Sequence, residues 1–233
     1  VMLAIDLSGS MDYVDLPDQD GFTARRLDVV QRVVDRFVSE RTDDRIGLIV
    51  FGSRAYLQLP FTRDVDTARA LVGLMEVAMA GPKTALGDAV GLAIRSFESS
   101  EVDERLLILL TDGNDTASKM TPINAAEIAK LKGVEIHTIG VGDPAARGED
   151  RVDFDTLKAV ATRTGGQFFN AQDESTLADV YRRIDAMSPG DVKTETWRPR
   201  ESLVHWPVGA AVLLGLIAYP FMLFGARRRR LAA

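Results

Sequence analysis

The segment Asp6-Leu7-Ser8-Gly9-Ser10 sets one carboxylate and two hydroxyls on a turn directly after an apolar run, residues 1–5. Two more oxygen donors stand at comparable places: Thr84, ahead of a helical pattern over 85–97, and Asp112, in Leu109-Leu110-Thr111-Asp112-Gly113. Hard oxygen donors of this kind suit a magnesium-sized ion, which takes near-octahedral oxygen coordination, keeps some of its water and so leaves a position open. The chain has no cysteine, and neither His137 nor His205 has a histidine partner at ligand spacing, so thiolate and imidazole zinc sites are excluded. Taken singly, each donor also has an ordinary explanation. Ser8, Ser10 and Thr84 can be helix N-caps, and Asp112-Gly113 can be a simple turn.

The elements that must position these donors are legible in the apolar pattern. Runs of strand length recur at 1–5, 46–51, 106–110 and 134–141, with a weaker one at 167–170, and none alternates cleanly with polar residues. Runs buried on both faces belong to a central parallel sheet. Between them, apolar residues at three- and four-residue steps predict helices: Leu27, Val30, Val34 and Phe37; Leu86, Val90, Ile94 and Phe97; Ile128 and Leu131; Leu157, Val160 and Ala161; Leu177, Val180, Tyr181 and Ile184. Thr121-Pro122 reads as a helix start, and Gly133 and Gly165 as left-handed helix ends. Residues 55–59 follow the second strand too closely for a helical crossover and predict an antiparallel edge strand. The expected fold is a doubly wound, mostly parallel α/β sheet with one antiparallel edge strand. Ligands of such a sheet sit beyond the carboxyl ends of its strands, where Asp6 and Asp112 lie.

Asp-x-Ser-x-Ser, a distant Thr, and Thr-Asp-Gly after an apolar strand together resemble the metal-ion-dependent adhesion site of von Willebrand factor type A domains, and all five positions match. The resemblance implies that Ser8, Ser10 and Thr84 supply hydroxyls to a Mg²⁺ or Mn²⁺ ion, with Asp6 and Asp112 close by, partly through water. It extends over residues 1–187, the expected domain, whose N-terminus reads as truncated. Arg45-Ile46-Gly47-Leu48-Ile49-Val50-Phe51-Gly52, Thr84-Ala85-Leu86-Gly87-Asp88-Ala89 and Thr138-Ile139-Gly140-Val141-Gly142 are similar to the bacterial, membrane-anchored aerotolerance-type branch. That likeness implies association with other type A domain proteins and with a MoxR-class AAA-type ATPase system. One departure is an acidic insert at 12–20, between the metal motif and the first helix. Its Asp18-Gln19-Asp20-Gly21 lacks the downstream Glu of a calcium loop, and Asn114-Asp115-Thr116 reads as a chance match to a glycosylation acceptor.

Residues 188–202 break into Pro, Gly and charge and read as a linker. Residues 203–226 are expected to be a transmembrane helix. From Trp206 to Ala226 no residue carries a formal charge, and about 32 Å of helix at roughly 1.5 Å per residue matches a hydrocarbon core of about 30 Å. Residues 227–233 then form a basic tail opening on four arginines, which by the positive-inside rule is cytoplasmic, leaving the folded domain periplasmic or extracellular. The whole chain carries a formal charge of −6; setting aside Arg227, Arg228, Arg229, Arg230 and Glu201, residues 1–200 carry −9. So acidic a domain with no basic stripe is not a nucleic-acid binder.

Three functions are compatible with these residues. The first is a non-enzymatic protein-binding module whose metal is completed by an Asp or Glu from a partner protein. The second is a Mg-dependent phosphohydrolase, against which stand Ser8 in place of the second carboxylate of Asp-x-Asp and the absence of a Walker loop or nucleophile elbow. The third is a structural membrane anchor with an empty site, which leaves five matching oxygen side chains unexplained.

Overall fold

A computed structural model describes residues 1–41, 44–112, 114–142 and 153–187. In chain order the elements are β1 (Met2–Asp6), a hairpin of β2 (Val14–Pro17) and β3 (Thr23–Arg25), α1 (Arg26–Ser39), β4 (Ile46–Phe51), β5 (Ala55–Thr62), α2 (Val65–Gly73), α3 (Leu86–Glu98), β6 (Leu106–Thr111), α4 (Pro122–Leu131), β7 (Glu135–Val141), α5 (Phe154–Thr164), β8 (Phe168–Ala171) and α6 (Glu174–Met187). The main sheet runs β5-β4-β1-β6-β7-β8, and every neighbouring pair is parallel except β4 with β5. This is the expected doubly wound sheet with its antiparallel edge strand.

Both faces of the sheet are buried, which explains why its strands do not alternate with polar residues. Leu3 and Ile5 point into one core with Leu48, Val50, Ile108 and Leu110, closed by α1, α2 and α6. Met2 and Ala4 point into a second core with Ile49, Phe51, Leu107 and Leu109, closed by α3, α4 and α5. β1 lies between β4 and β6, so the turn that leaves it opens at the middle of the sheet's carboxyl edge.

Helix punctuation follows the sequence. The Thr121 hydroxyl accepts from the Asn124 backbone N–H with Pro122 next in line, and Gly133 and Gly165 adopt φ of 67° and 87°. The expected face of α4 does not hold. It buries Ala125, Ala126 and Ala129, while Ile128 is 37% and Leu131 83% exposed. Small residues let α4 approach α3 closely, and packing distance outweighs side-chain size here. An added Cβ at Gly87 in α3 would meet the Met120 carbonyl oxygen at 2.0 Å, whereas one at Gly91 would meet nothing within 4 Å. Gly87→Ala is therefore expected to lower stability by about 1–3 kcal/mol through overpacking. Gly91→Ala should raise it by about 0.5–1 kcal/mol, the helix-propensity gain. Urea unfolding of both variants checks the pair, and shifts of the same sign would contradict this packing.

Two elements had no counterpart in the sequence reading. The helix α2 buries only Ala68 and Val72 and is opened by the Asp64 side chain, which accepts from the Thr67 N–H. The acidic insert forms the β2–β3 hairpin, and the Asp18 carboxylate accepts from the backbone N–H groups of Asp20 and Phe22, at 3.0 and 2.9 Å. His137 is structural: it is buried in β7, with its Nδ1 accepting from the Gln167 N–H at 2.9 Å. Among the described residues no helix is long and apolar enough to cross a membrane. The expected linker at 188–202, span at 203–226 and tail at 227–233 lie outside the described residues, as does His205.

Candidate functional site

β1 ends at Asp6, and the chain turns through a short 3-10 segment, Gly9–Asp12, carrying Ser8 and Ser10. Backbone hydrogen bonds pin this turn to both neighbours. Leu7 N–H donates to Phe51 O at 2.7 Å, Gly9 N–H to Pro82 O at 3.0 Å, and Ala78 N–H to Leu7 O at 2.7 Å. Ala78 sits at φ 60°, a left-handed conformation that costs a non-glycine residue about 1–2 kcal/mol. The segment leading to Thr84 is thus laid against the motif turn, while β6 brings Asp112 from the other side.

Side-chain contacts join three of the five expected residues directly. The Ser8 and Ser10 hydroxyls are 3.1 Å apart, and Ser10 Oγ donates to Asp112 Oδ1 at 2.7 Å. Asp6 is held beside them: its Oδ1 accepts from the Ser8 N–H at 2.8 Å and its Oδ2 from the Thr111 hydroxyl at 2.5 Å. Thr84 is brought alongside through the backbone; among the described residues its own hydroxyl has no hydrogen-bond partner, although the residue is only 4% exposed.

None of the three hydroxyls caps a helix, which removes the ordinary explanation for them. Ser8 makes no capping bond to the 3-10 segment, and α3 has no side-chain cap from its own N-terminal residue. The β6–α4 loop caps α3 instead. Asp115 Oδ1 accepts from Leu86 N–H at 3.1 Å and Ser118 Oγ from Gly87 N–H at 2.8 Å, while Thr116 Oγ1 takes the Thr84 N–H at 3.0 Å. With the first turn satisfied from another part of the chain, the Thr84 side chain is left for other work.

Asp6 and Asp112 are both buried. Burial, and then the charge of Asp112, push the Asp6 carboxyl up to about 7 against the opposing hydrogen bonds from Thr111 and Ser8. Asp112 is raised too, by burial, with Ser10 and Arg26 working against the shift. Arg26 was not singled out from the sequence. It is 3% exposed and donates from one guanidinium nitrogen to Asp112 Oδ2 at 2.7 Å, and from the other two to both oxygens of Asp15 at 2.8 and 2.5 Å. Burial opposes its charge, but these two carboxylates outweigh burial and raise its pKa. Nothing in local spacing marks Arg26, because its partner Asp112 is 86 residues away.

The donor set fits a divalent cation. Two carboxylates buried together are what such an ion would relieve, and three hydroxyls free of capping duty are oxygen donors it could use. Among the described residues no cluster of three or more His, Cys, Asp or Glu side chains offers a competing site.

Comparison with known proteins bears on the family and the fold. An uncharacterized protein of Borreliella burgdorferi is 24% identical over 189 residues, covering 75% of this chain, which spans 54% of that relative's length. Among solved structures, the conserved hypothetical protein BatB of Bacteroides thetaiotaomicron is 27% identical with a TM-score of 0.66, covering 81% of this chain and 98% of that one. An aerotolerance-related membrane protein of Bacteroides fragilis, solved with multiple mutations to serine, is 25% identical with a TM-score of 0.67, covering 79% and 96%. The likeness to the aerotolerance-type branch carried by the sequence motifs is met in these neighbours. A family model for the von Willebrand factor type A domain matches residues 1–183, and the chain belongs to that family.

Proposed function

We propose that this chain is a membrane-anchored, non-enzymatic protein-binding module that seats one Mg²⁺ or Mn²⁺ ion among Ser8, Ser10, Thr84, Asp6 and Asp112, with an Asp or Glu of a partner protein completing the coordination. The observation that carries the reading is the gathering of the Ser8 and Ser10 hydroxyls, neither used as a helix cap, beside two buried carboxylates at the carboxyl end of β1. A divalent ion held there supplies an exchangeable, positively charged position for a carboxylate. The chain's own residues do the rest. The hydroxyls are neutral donors and leave the position electrophilic. Asp6 and Asp112 hold the hydroxyl array in place through the Ser8 N–H and the Ser10 hydroxyl.

Partner choice falls to the loops around the motif, because an acidic domain repels carboxylates at long range. Those loops expose Tyr13 and Val14 on the hairpin side and Leu74 and Met79 on the side of Ala78, at 44%, 63%, 68% and 53%. Residues 203–226 anchor the domain, with the arginine-rich tail cytoplasmic and the domain periplasmic or extracellular. Other type A domain proteins and a MoxR-class ATPase system are the partners that the aerotolerance-type likeness favours.

Calorimetric titration of Mg²⁺ and Mn²⁺ into the full chain tests the site. One saturable site is expected, and Thr84→Ala should weaken it by about 10–100-fold, the usual scale for a lost metal-site contact. The Thr84 hydroxyl has no structural partner to lose, so the variant should unfold at the wild-type urea concentration. An unchanged affinity would remove Thr84 from the site.

A further inference from the structure

We infer that Arg26 is a built-in counter-cation that sets how tightly this site holds a divalent ion and makes that hold depend on the partner's carboxylate; the inference rests on the metal reading above. Arg26 opens α1 and is fixed from three directions. Its backbone N–H donates to Tyr13 O at 2.9 Å, its guanidinium carbon lies 5.1 Å from the centre of the Tyr13 ring, and Asp15 holds it in a two-pronged pair from strand β2. The remaining nitrogen reaches Asp112, whose other oxygen accepts from Ser10. The hairpin insert thus steadies a positive charge that the start of α1 brings to the motif.

Charge closure gives this placement its consequence. Its buried groups are two carboxylates, Asp6 and Asp112, and one guanidinium, a net charge of one negative among the groups shielded from water; the half-exposed Asp15 lies outside that sum. A divalent ion overshoots that charge by one, and one carboxylate from outside restores balance. In a poorly solvated pocket an unbalanced charge is costly, so ion and partner carboxylate stabilise one another. Without Arg26 the two aspartates would balance the ion alone. Metal would bind tightly with no partner present, and the pull on an incoming carboxylate would weaken. Asp15 tempers Arg26 from the rim, where its side chain is 46% exposed and partly screened.

The test is titration of Mn²⁺ alone, followed by the electron paramagnetic resonance signal of the free ion, into the full chain and its Arg26→Gln, Arg26→Lys and Asp15→Asn variants. Thermal melts in chelator report whether each is folded. Arg26→Gln should bind Mn²⁺ about tenfold tighter or more, the scale of removing a unit charge near a divalent one. Asp15→Asn should bind it more weakly, and Arg26→Lys should stay near wild type. A role confined to holding the hairpin would shift Arg26→Gln and Asp15→Asn in the same direction, and that result overturns the inference. Should Arg26→Gln fail to fold, Asp15→Asn and Arg26→Lys decide it: unchanged Mn²⁺ affinity in Asp15→Asn, or a marked change in Arg26→Lys, counts against the role. Repeating the titrations with added acetate should tighten Mn²⁺ binding more in wild type than in Arg26→Gln, and equal effects refute the dependence on a carboxylate. If wild type binds no Mn²⁺ with or without acetate, the metal reading itself fails, which is a separate outcome.

Discussion

Asp6→Asn is expected to weaken Mn²⁺ binding by about 100-fold while making the metal-free protein more stable at pH 8, by about 1–3 kcal/mol. The two effects share one cause. Asp6 is fully buried next to a second carboxylate, and burial and that neighbour push its pKa up to about 7. At pH 8 it is therefore ionised at a cost that the Thr111 and Ser8 hydrogen bonds offset only in part and that a bound cation would relieve. Asparagine keeps an oxygen to accept the Ser8 N–H and removes the charge. The Thr111 hydroxyl, which now donates to Asp6 Oδ2 at 2.5 Å, can rotate to accept from the new amide. Calorimetry gives the affinity and urea unfolding in chelator gives the stability. A variant that loses stability in chelator would mean that the Asp6 charge is already compensated within the protein, and the case for a cation there would fall with it.

The second large effect is on pH dependence. Asp6 has a folded-state pKa of about 7 against an ordinary carboxylate value of 3.8. Between these limits the folded protein holds more protons than the unfolded chain, so metal-free stability should fall as pH rises from about 4 to about 7 and level off above. A shift of this size corresponds to a change on the order of 4 kcal/mol. Asp112, raised by burial, acts in the same direction. His137 acts oppositely. Its pKa is lowered by burial, so it adds stability as pH rises toward 6.5. Partly exposed carboxylates with depressed values, such as Asp35 and Asp173, make their change below about pH 4 and stay outside the window. Comparing wild type with Asp6→Asn in chelator cancels the His137 contribution and isolates Asp6. The difference between the two chains should widen from pH 4.5 to 7, and saturating Mn²⁺ should reverse it. A difference that stays constant across the range would mean that Asp6 titrates normally.

Much of the fold was legible because its rules are local. Met2–Asp6, Ile46–Phe51 and Leu106–Thr111 are apolar on both faces, and only a sheet covered on two sides buries such runs. The helices α1, α3, α5 and α6 carry apolar residues at helical spacing that do face the core. The same rule misplaced α4, where Ile128 and Leu131 mark a face that the structure leaves outside. That helix packs by alanines, and close approach to α3 at Gly87 is a property of two elements that neither reveals alone. The hairpin was hidden because its strands are only four and three residues long and just Leu16 is well buried, too short a pattern to show an alternating face.

By themselves, the residues of this chain determined the strands, the turn that follows β1, and the five oxygen side chains that stand at strand ends and a helix start, since each is specified by neighbours a few positions away. Tertiary structure decided which partners those side chains have. Asp115 and Ser118 cap α3 from about 30 residues off and leave Thr84 without that task. Arg26 reaches Asp112 across 86 residues and changes the net charge of the site. Hydrogen-bond satisfaction and charge balance are sums over everything that folding brings within a few ångströms, and sequence spacing carries no record of partners that distant.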